Sequence, residues 1–468
     1  MHTTQRYTLF LAVLAAIGLA APRSISARQA ASSATLTIGQ AVENALRNYP
    51  SITVSQEQVN AATAAIDLAR TAYLPRIDSV AQVNRGTRNN VFGLLFPQSV
   101  MPAISGPVLG SNNLGTVWGS AVGALVTWEP FDFGLREASI SAATASKARA
   151  EAGFKRTLFE VSVIVADTYL TLAAAQETVR AAQAAVDRAE LLQRSVRAQV
   201  EAQLRPGADA SRAEAELAAS RTQLAQAQQA VEIAKAVLGQ FLGIPPQQIL
   251  ISAPRLFQLP AEEPSRTPDT TQNPLAAEQN AVVDQKKAEL HVLEKSYFPR
   301  FFAQGSAYAR GTGANINGSR LGGFNGLAPD TQNYVLGFGV TFPVFDFASI
   351  RVREKGQAAT IRAETARYQQ VTIDLRAQLN VARATLEGSR KVATNTPVQV
   401  SSSNAAVQQA TARYQSGLGT IIEVADAQRL LTQAEIDDAL ARLNVWRALL
   451  RVAVASGDIQ PFLTGASQ

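Results

Sequence analysis

Hydrophobic positions in this chain recur with two different periods. Over residues 134–203, Val165, Leu172, Val179 and Val186 stand seven apart, Val200 continues the ladder past Gln193, and Ala175, Ala182, Ala189 and Val196 fill a second ladder three residues on. Over about 209–242, Leu217, Leu224, Val231 and Leu238 repeat the spacing beside Ala227, Ala234 and Phe241. Heptads that alternate a large apolar residue with alanine predict left-handed coiled coils with closely spaced axes. At about 1.5 Å of rise per residue, the first of these helices is roughly 100 Å long. Leu204-Arg205-Pro206-Gly207-Ala208 breaks the pattern and predicts a chain reversal, so the unit is an antiparallel helical hairpin over 134–242.

The second period is two. In 117–128 one face carries Trp118, Ser120, Val122, Ala124, Val126 and Trp128, and the other Gly119, Ala121, Gly123, Leu125 and Thr127. In 332–342 one face carries Tyr334, Leu336, Phe338, Val340 and Phe342, against Val335, Gly337, Gly339 and Thr341. Alternation of this kind predicts strands with one apolar face. Trp118 and Trp128 are ten residues apart, about 33 Å along a strand. A tilt near 40° reduces that to roughly 25 Å, the height of the apolar band of an outer-membrane barrel with aromatic girdles at both edges. Trp118, Trp128, Tyr334 and Phe342 are therefore candidate membrane-interface aromatics. Weaker partner strands are expected over about 75–85 and 299–309.

These elements occur twice. Tyr73-Leu74-Pro75-Arg76 returns as Tyr297-Phe298-Pro299-Arg300, and Pro50 as Pro274, at an offset of 224. Phe131-Asp132-Phe133 returns as Phe345-Asp346-Phe347, Leu204 as Leu418, Asp209 as Glu423 and Gly243 as Gly457, at an offset of 214. A register kept over such distances marks an internal repeat. The expected organisation is a first repeat over 28–243 and a second over 273–457, with its helical hairpin at 348–456. A proline-bearing linker, 244–272, separates them, and a tail, 458–468, follows. Each copy opens with an Ala-rich helix; in the first it spans 37–72, with Thr37 placed to cap it. The fold class is an α+β membrane protein. Four strands cannot close a barrel in lipid, so other copies of the chain must complete it.

Composition narrows the chemistry. The 468 residues include 2 histidines and no cysteine. That excludes disulfides and Cys-ligated metals, and leaves catalysis to rest on His291 once the N-terminal segment is removed. No enzymatic activity, cofactor or metal is expected. The chain holds about 80 alanines, roughly twice ordinary usage, which suits long helices in close contact. Arg6 followed by the apolar stretch Leu9 to Ala21 reads as a secretory signal over 1–27, with cleavage after Ala27 preferred. Its removal takes Arg6 and Arg23 and lowers the net charge from +6 to +4. The basic residues are scattered among acids, so nucleic acid is not expected as a partner. No later stretch of about 18 uncharged apolar residues is expected to form a transmembrane helix.

The tandem copies, the Pro-Arg start and Phe-Asp-Phe end of the strand pairs, and the turn Tyr414-Gln415-Ser416-Gly417-Leu418-Gly419-Thr420-Ile421-Ile422-Glu423-Val424-Ala425-Asp426-Ala427 together resemble the TolC family of outer-membrane efflux and export channels. The resemblance covers nearly all of the chain beyond residue 27. It implies a homotrimer with a 12-stranded barrel in outer-membrane lipid and an α-helical barrel crossing the periplasm. It further implies a passive conduit serving a periplasmic adaptor and an inner-membrane pump of RND, ABC or MFS type. Carried over by position, the periplasmic gate and cation-selective entrance fall on Glu423, Asp426, Asp209 and Tyr414. The family's gate arginine matches Gly419, so its role is either lost or taken by Arg205 or Arg212. Adaptor contacts fall on Leu204, Pro206, Gly207, Gly417, Leu418, Gly419 and Thr420. The alternative readings are that Gly417 merely permits the turn and that the acids are helix-dipole partners. The competing function is a periplasmic adaptor, which also carries a coiled-coil hairpin but lacks paired in-register copies.

Overall fold

The computed structural model describes residues 35–87, 115–260, 270–315 and 319–467. The signal segment, the loop between the first two strands, and Pro264 and Pro268 of the linker lie outside the described residues. The first expected helix is two helices, α1 (Ile38–Asn48) and α2 (Pro50–Thr71). Tyr49 between them is extended, with φ −74° and ψ 123°. The ring of Pro50 disfavours helical geometry in the residue before it, so the chain bends there. Thr37 caps α1 in a reciprocal box: its hydroxyl accepts from the Gln40 amide at 3.3 Å, and the Gln40 side chain accepts from the Thr37 amide at 3.0 Å.

The strands β1 (Arg76–Thr87), β2 (Thr116–Phe131), β3 (Arg300–Thr312) and β4 (Thr331–Thr341) form one antiparallel sheet in the order β1-β2-β3-β4. Its central pair, β2 with β3, joins the two copies. Between the strand pairs run the long helices α3 (Leu135–Glu201) and α4 (Gly207–Leu242), and then α5 (Pro274–Lys295). After β4 come α6 (Phe347–Gln415), α7 (Ile421–Ser456) and α8 (Gln460–Ser467). The seams of the coiled coils are those the heptads mark: Val165, Leu172, Ala182, Val186, Ala189 and Val196 of α3 are buried, as are Leu217, Ala227, Ala234 and Leu238 of α4.

The main core lies midway along the long helices, where α1, α3, α4, α7 and α8 meet the linker. Tyr169 is buried there, and its hydroxyl lies 2.9 Å from the carbonyls of both Leu36 and Ser252, flanking the bridge between Leu36 and Ile251. Burial raises the pKa of this phenol, so it remains a donor. An 18-residue stretch of α3 is apolar enough by length and composition to cross a membrane once up to two charged residues are allowed, but half of it is buried inside the chain. Packing against this core accounts for its composition, not a lipid span. The described residues of the linker hold three short 3-10 turns, and the linker is fixed to α7 by the Trp446 indole, which donates to the Gln258 carbonyl at 3.0 Å. Residues 460–467 form α8, whose Phe462, Leu463 and Ala466 join the same core.

Candidate functional site

The pairing register sorts the sheet into two chemically distinct faces. Ile77, Val126, Gly305 and Leu336 lie in one row across the four strands, and Arg76, Thr127, Gln304 and Gly337 in the adjacent row. Extended over all rows, the first face carries Ile77, Val83, Val122, Phe301, Leu336 and Phe338. The second carries Asp78, Gln82, Ser306, Arg310, Asn333 and Thr331. Leu336 is 81% exposed and Phe338 76%. An apolar face of this size left bare on a water-soluble protein would aggregate, so its solvent is lipid. Trp118 is half-buried, and Trp128 and Tyr334 are exposed on that same face near its two ends. Phe342 lies one residue past β4 and packs edge-on against Phe347, with ring centroids 5.6 Å apart.

The sheet meets the helices at a buried ion pair. The Asp132 carboxylate accepts from the Gly134 amide at 3.1 Å, the Arg136 amide at 2.8 Å and the Arg136 guanidinium at 2.8 Å. Arg136 also donates to the Ala72 carbonyl at 3.2 Å and covers the Tyr73 ring at 4.4 Å. Burial alone would raise the pKa of Asp132, but the backbone amides and Arg136 outweigh it and the net shift is downward. In the second copy the position of Arg136 is taken by buried Ile350, so this joint is ionic once per chain. Sequence reading used Asp132 only as a repeat marker; its pairing with Arg136 depends on the turn through Phe133 and Gly134, which both have positive φ.

At the far end of the hairpins the two turns share one geometry. Gln203 (φ 59°) and Gly417 (φ 79°) are repeat equivalents, and both are left-handed. Leu204 N donates to the Gln199 carbonyl and Leu418 N to that of Arg413, each at 2.8 Å, which is the Schellman closure of a helix. Glycine is therefore not required by the turn, only favoured. Pro206 precedes Gly207, the first residue of α4, and Thr420 caps α7 in a box with Glu423. Leu204 and Leu418 project into solvent, 73% and 74% exposed.

Behind these tips Tyr414 is buried in a small core with Leu192, Val196, Ala213, Ile421 and Val424. Its hydroxyl donates to Asp209 Oδ2 at 3.1 Å. Arg205 stacks on the ring, its guanidinium carbon 4.4 Å from the centroid, and donates to the Tyr414 carbonyl. The first turn thus holds the end of α6 through two side chains. Of the two arginines named from the sequence, Arg205 reaches Tyr414, whereas Arg212 pairs with Glu216 at 3.4 Å. Gly419 sits beside Arg413 and Glu423. Glu423 lies 3.7 Å from Arg413, and Asp426 3.5 Å from Arg429. Sequence reading did not single out Arg413 or Arg429. Arg429 sits three residues after Asp426 on one helix, a spacing that carries the signal; Arg413 meets Glu423 only through the turn.

A membrane sheet with one polar and one apolar face, joined to paired coiled-coil hairpins, defines an outer-membrane channel subunit. The chain matches the outer membrane efflux protein family twice, over residues 41–244 and 270–458, and belongs to that family. It is 26% identical over 302 residues to the pyoverdine export outer membrane protein OpmQ of Pseudomonas putida, a match that spans 63% of this chain and 61% of that protein's length. Its fold is that of the outer-membrane channel OprN (20% identity, TM-score 0.70, 90% of this chain and 89% of that one). It also matches the Campylobacter jejuni CmeC channel (16% identity, TM-score 0.72, 90% and 85%). The chain is an outer-membrane channel protein of this family, and the two matched segments fall one on each copy of the repeat. That membership sets aside the periplasmic adaptor alternative.

Proposed function

We propose that this chain forms the outer-membrane exit duct of a tripartite efflux or type I secretion system, as a trimer gated at its periplasmic helical tips. The sheet supports the trimer: both β1 and β4 have an unpaired edge, and lipid does not tolerate open edges. Three copies supply twelve strands, closed by cyclic symmetry. The observation that carries the gate is the junction of Tyr414 with Asp209 and Arg205, which binds the tip of one hairpin to the tip of the other. Arg205 takes the place of the arginine that Gly419 lacks. Glu423 and Asp426 set the charge of the mouth, moderated by Arg413 and Arg429. The duct performs no chemistry; a pump selects the cargo. Pyoverdine, named in the description of the relative OpmQ, is one candidate cargo.

Leu204 and Leu418 are the apolar knobs that an adaptor's helical tips would cover. The test replaces both, Leu204→Asp with Leu418→Asp, in cells that depend on the channel for export. Export should fall while the amount of folded trimer in the outer membrane stays constant. Full export by the double variant would sink the adaptor-docking reading.

A further inference from the structure

The rim of the sheet farthest from the helices carries an arginine–tryptophan pair that the proposed channel function does not use. Arg85 is paired in register with Trp118, which puts both on the apolar face rather than the polar one. The Arg85 guanidinium carbon stands 5.1 Å from the Trp118 ring centroid, and its Nε donates to the Thr116 hydroxyl at 3.0 Å. Arg85 is exposed, and among the described residues no carboxylate pairs with it. A second guanidinium, that of Arg320, lies directly over Gly115, next to Thr116. The repeat supplies an internal comparison: the equivalent pair in the second copy is Ala309 with Gln332. The fold therefore does not demand a cation here.

A guanidinium on a lipid-facing wall is costly unless it reaches the interface and meets an anion there. The helices leave the sheet at the Arg76 end and extend into the periplasm, so the Thr87 end faces the outer leaflet. Trp118 marks the headgroup level. Arg85 has its Nε fixed by Thr116 and its guanidinium over the indole. That leaves the two-nitrogen edge to form a bidentate bond with a phosphate. We infer that Arg85, seated on Trp118, binds the phosphate of a phosphorylated glycolipid headgroup in the outer leaflet, one site per chain. The site orients and retains lipid around the barrel and is independent of the periplasmic gate.

The test uses the full-length protein, purified in mild detergent, stripped of lipid, and offered a bisphosphorylated lipid A or its dephosphorylated counterpart. Bound lipid is counted by native mass spectrometry. The wild type should retain the phosphorylated form preferentially. Arg85→Gln should lower its retention about five-fold, and Arg85→Lys should keep part of it, which guards against a folding defect. Arg310→Gln, on the polar face, should leave retention unchanged. Equal retention of both lipids by the wild type, or unchanged retention in Arg85→Gln, would overturn the assignment. Displacement of the lipid by low-millimolar inorganic phosphate would overturn it too, because the acyl chains would then contribute nothing.

Discussion

Replacing Tyr414 by Phe removes one oxygen atom and tests the gate directly. The ring, its packing and the stack with Arg205 survive; only the bond to Asp209 at 3.1 Å is lost. A hydrogen bond to a charged acceptor contributes about 1.5–3 kcal/mol. Asp209 is half-exposed, so water replaces part of the bond and the lower end applies, about 1.5 kcal/mol per protomer. If three protomers open together, the closed state loses roughly 4.5 kcal/mol, or about two-thousand-fold in the closed-to-open ratio. Single-channel recording in planar bilayers reads this as longer openings and a larger mean conductance. Wild-type dwell times and conductance from a properly assembled Tyr414→Phe trimer would refute the argument. The phenol's pKa is pushed up to about 12, chiefly by burial and then by the Asp209 carboxylate. A raised pKa means the proton is held more tightly in the folded state. The bond is intact below the ordinary phenol range near 10 and is lost only as pH climbs through about 12. Between pH 6 and 9 the wild-type gate should not loosen through Tyr414.

Other perturbations separate the remaining parts. Glu423→Gln with Asp426→Asn should lower the cation-to-anion permeability ratio, read from reversal potentials in a salt gradient; an unchanged ratio would remove these acids from the mouth. Gln203→Gly should raise trimer stability by about 1 kcal/mol, since a left-handed conformation costs that much for a residue with a Cβ; a lower melting temperature would show that the Gln203 side chain matters at the tip. Asp132→Ala strands Arg136 at the sheet–helix joint and should destabilise by about 3 kcal/mol in thermal unfolding. Because the pKa of Asp132 is depressed on folding, its contribution is present above the ordinary carboxylate range and lost as pH falls through the lowered value. The wild type should therefore lose stability below about pH 4, and the Asp132→Ala variant should show less of that loss.

Much of the architecture was written in the sequence because it is periodic. Heptads of Val165, Leu172 and Val186 mark the buried seam of α3 whatever surrounds it, since a helix buries one stripe. Strand alternation likewise determined the faces of the sheet, because a one-residue slip would invert every side chain. The offsets of 224 and 214 identified the repeat before any contact was known. What the sequence could not determine is what periodicity does not encode. The bend at Tyr49 needed the proline effect to win over an Ala-rich pattern. The apolar stretch of α3 needed the surrounding core, with α8 and the linker folded against it, to be told from a span. Whether Arg205 or Arg212 reaches Tyr414 turned on where two chain reversals, more than 200 residues apart in sequence, come together. The seating of Arg85 on Trp118 turned on strand register across a loop. Local pattern determines elements and faces; only tertiary packing decides which charges meet, because a long side chain's partner depends on the relative placement of elements distant along the chain.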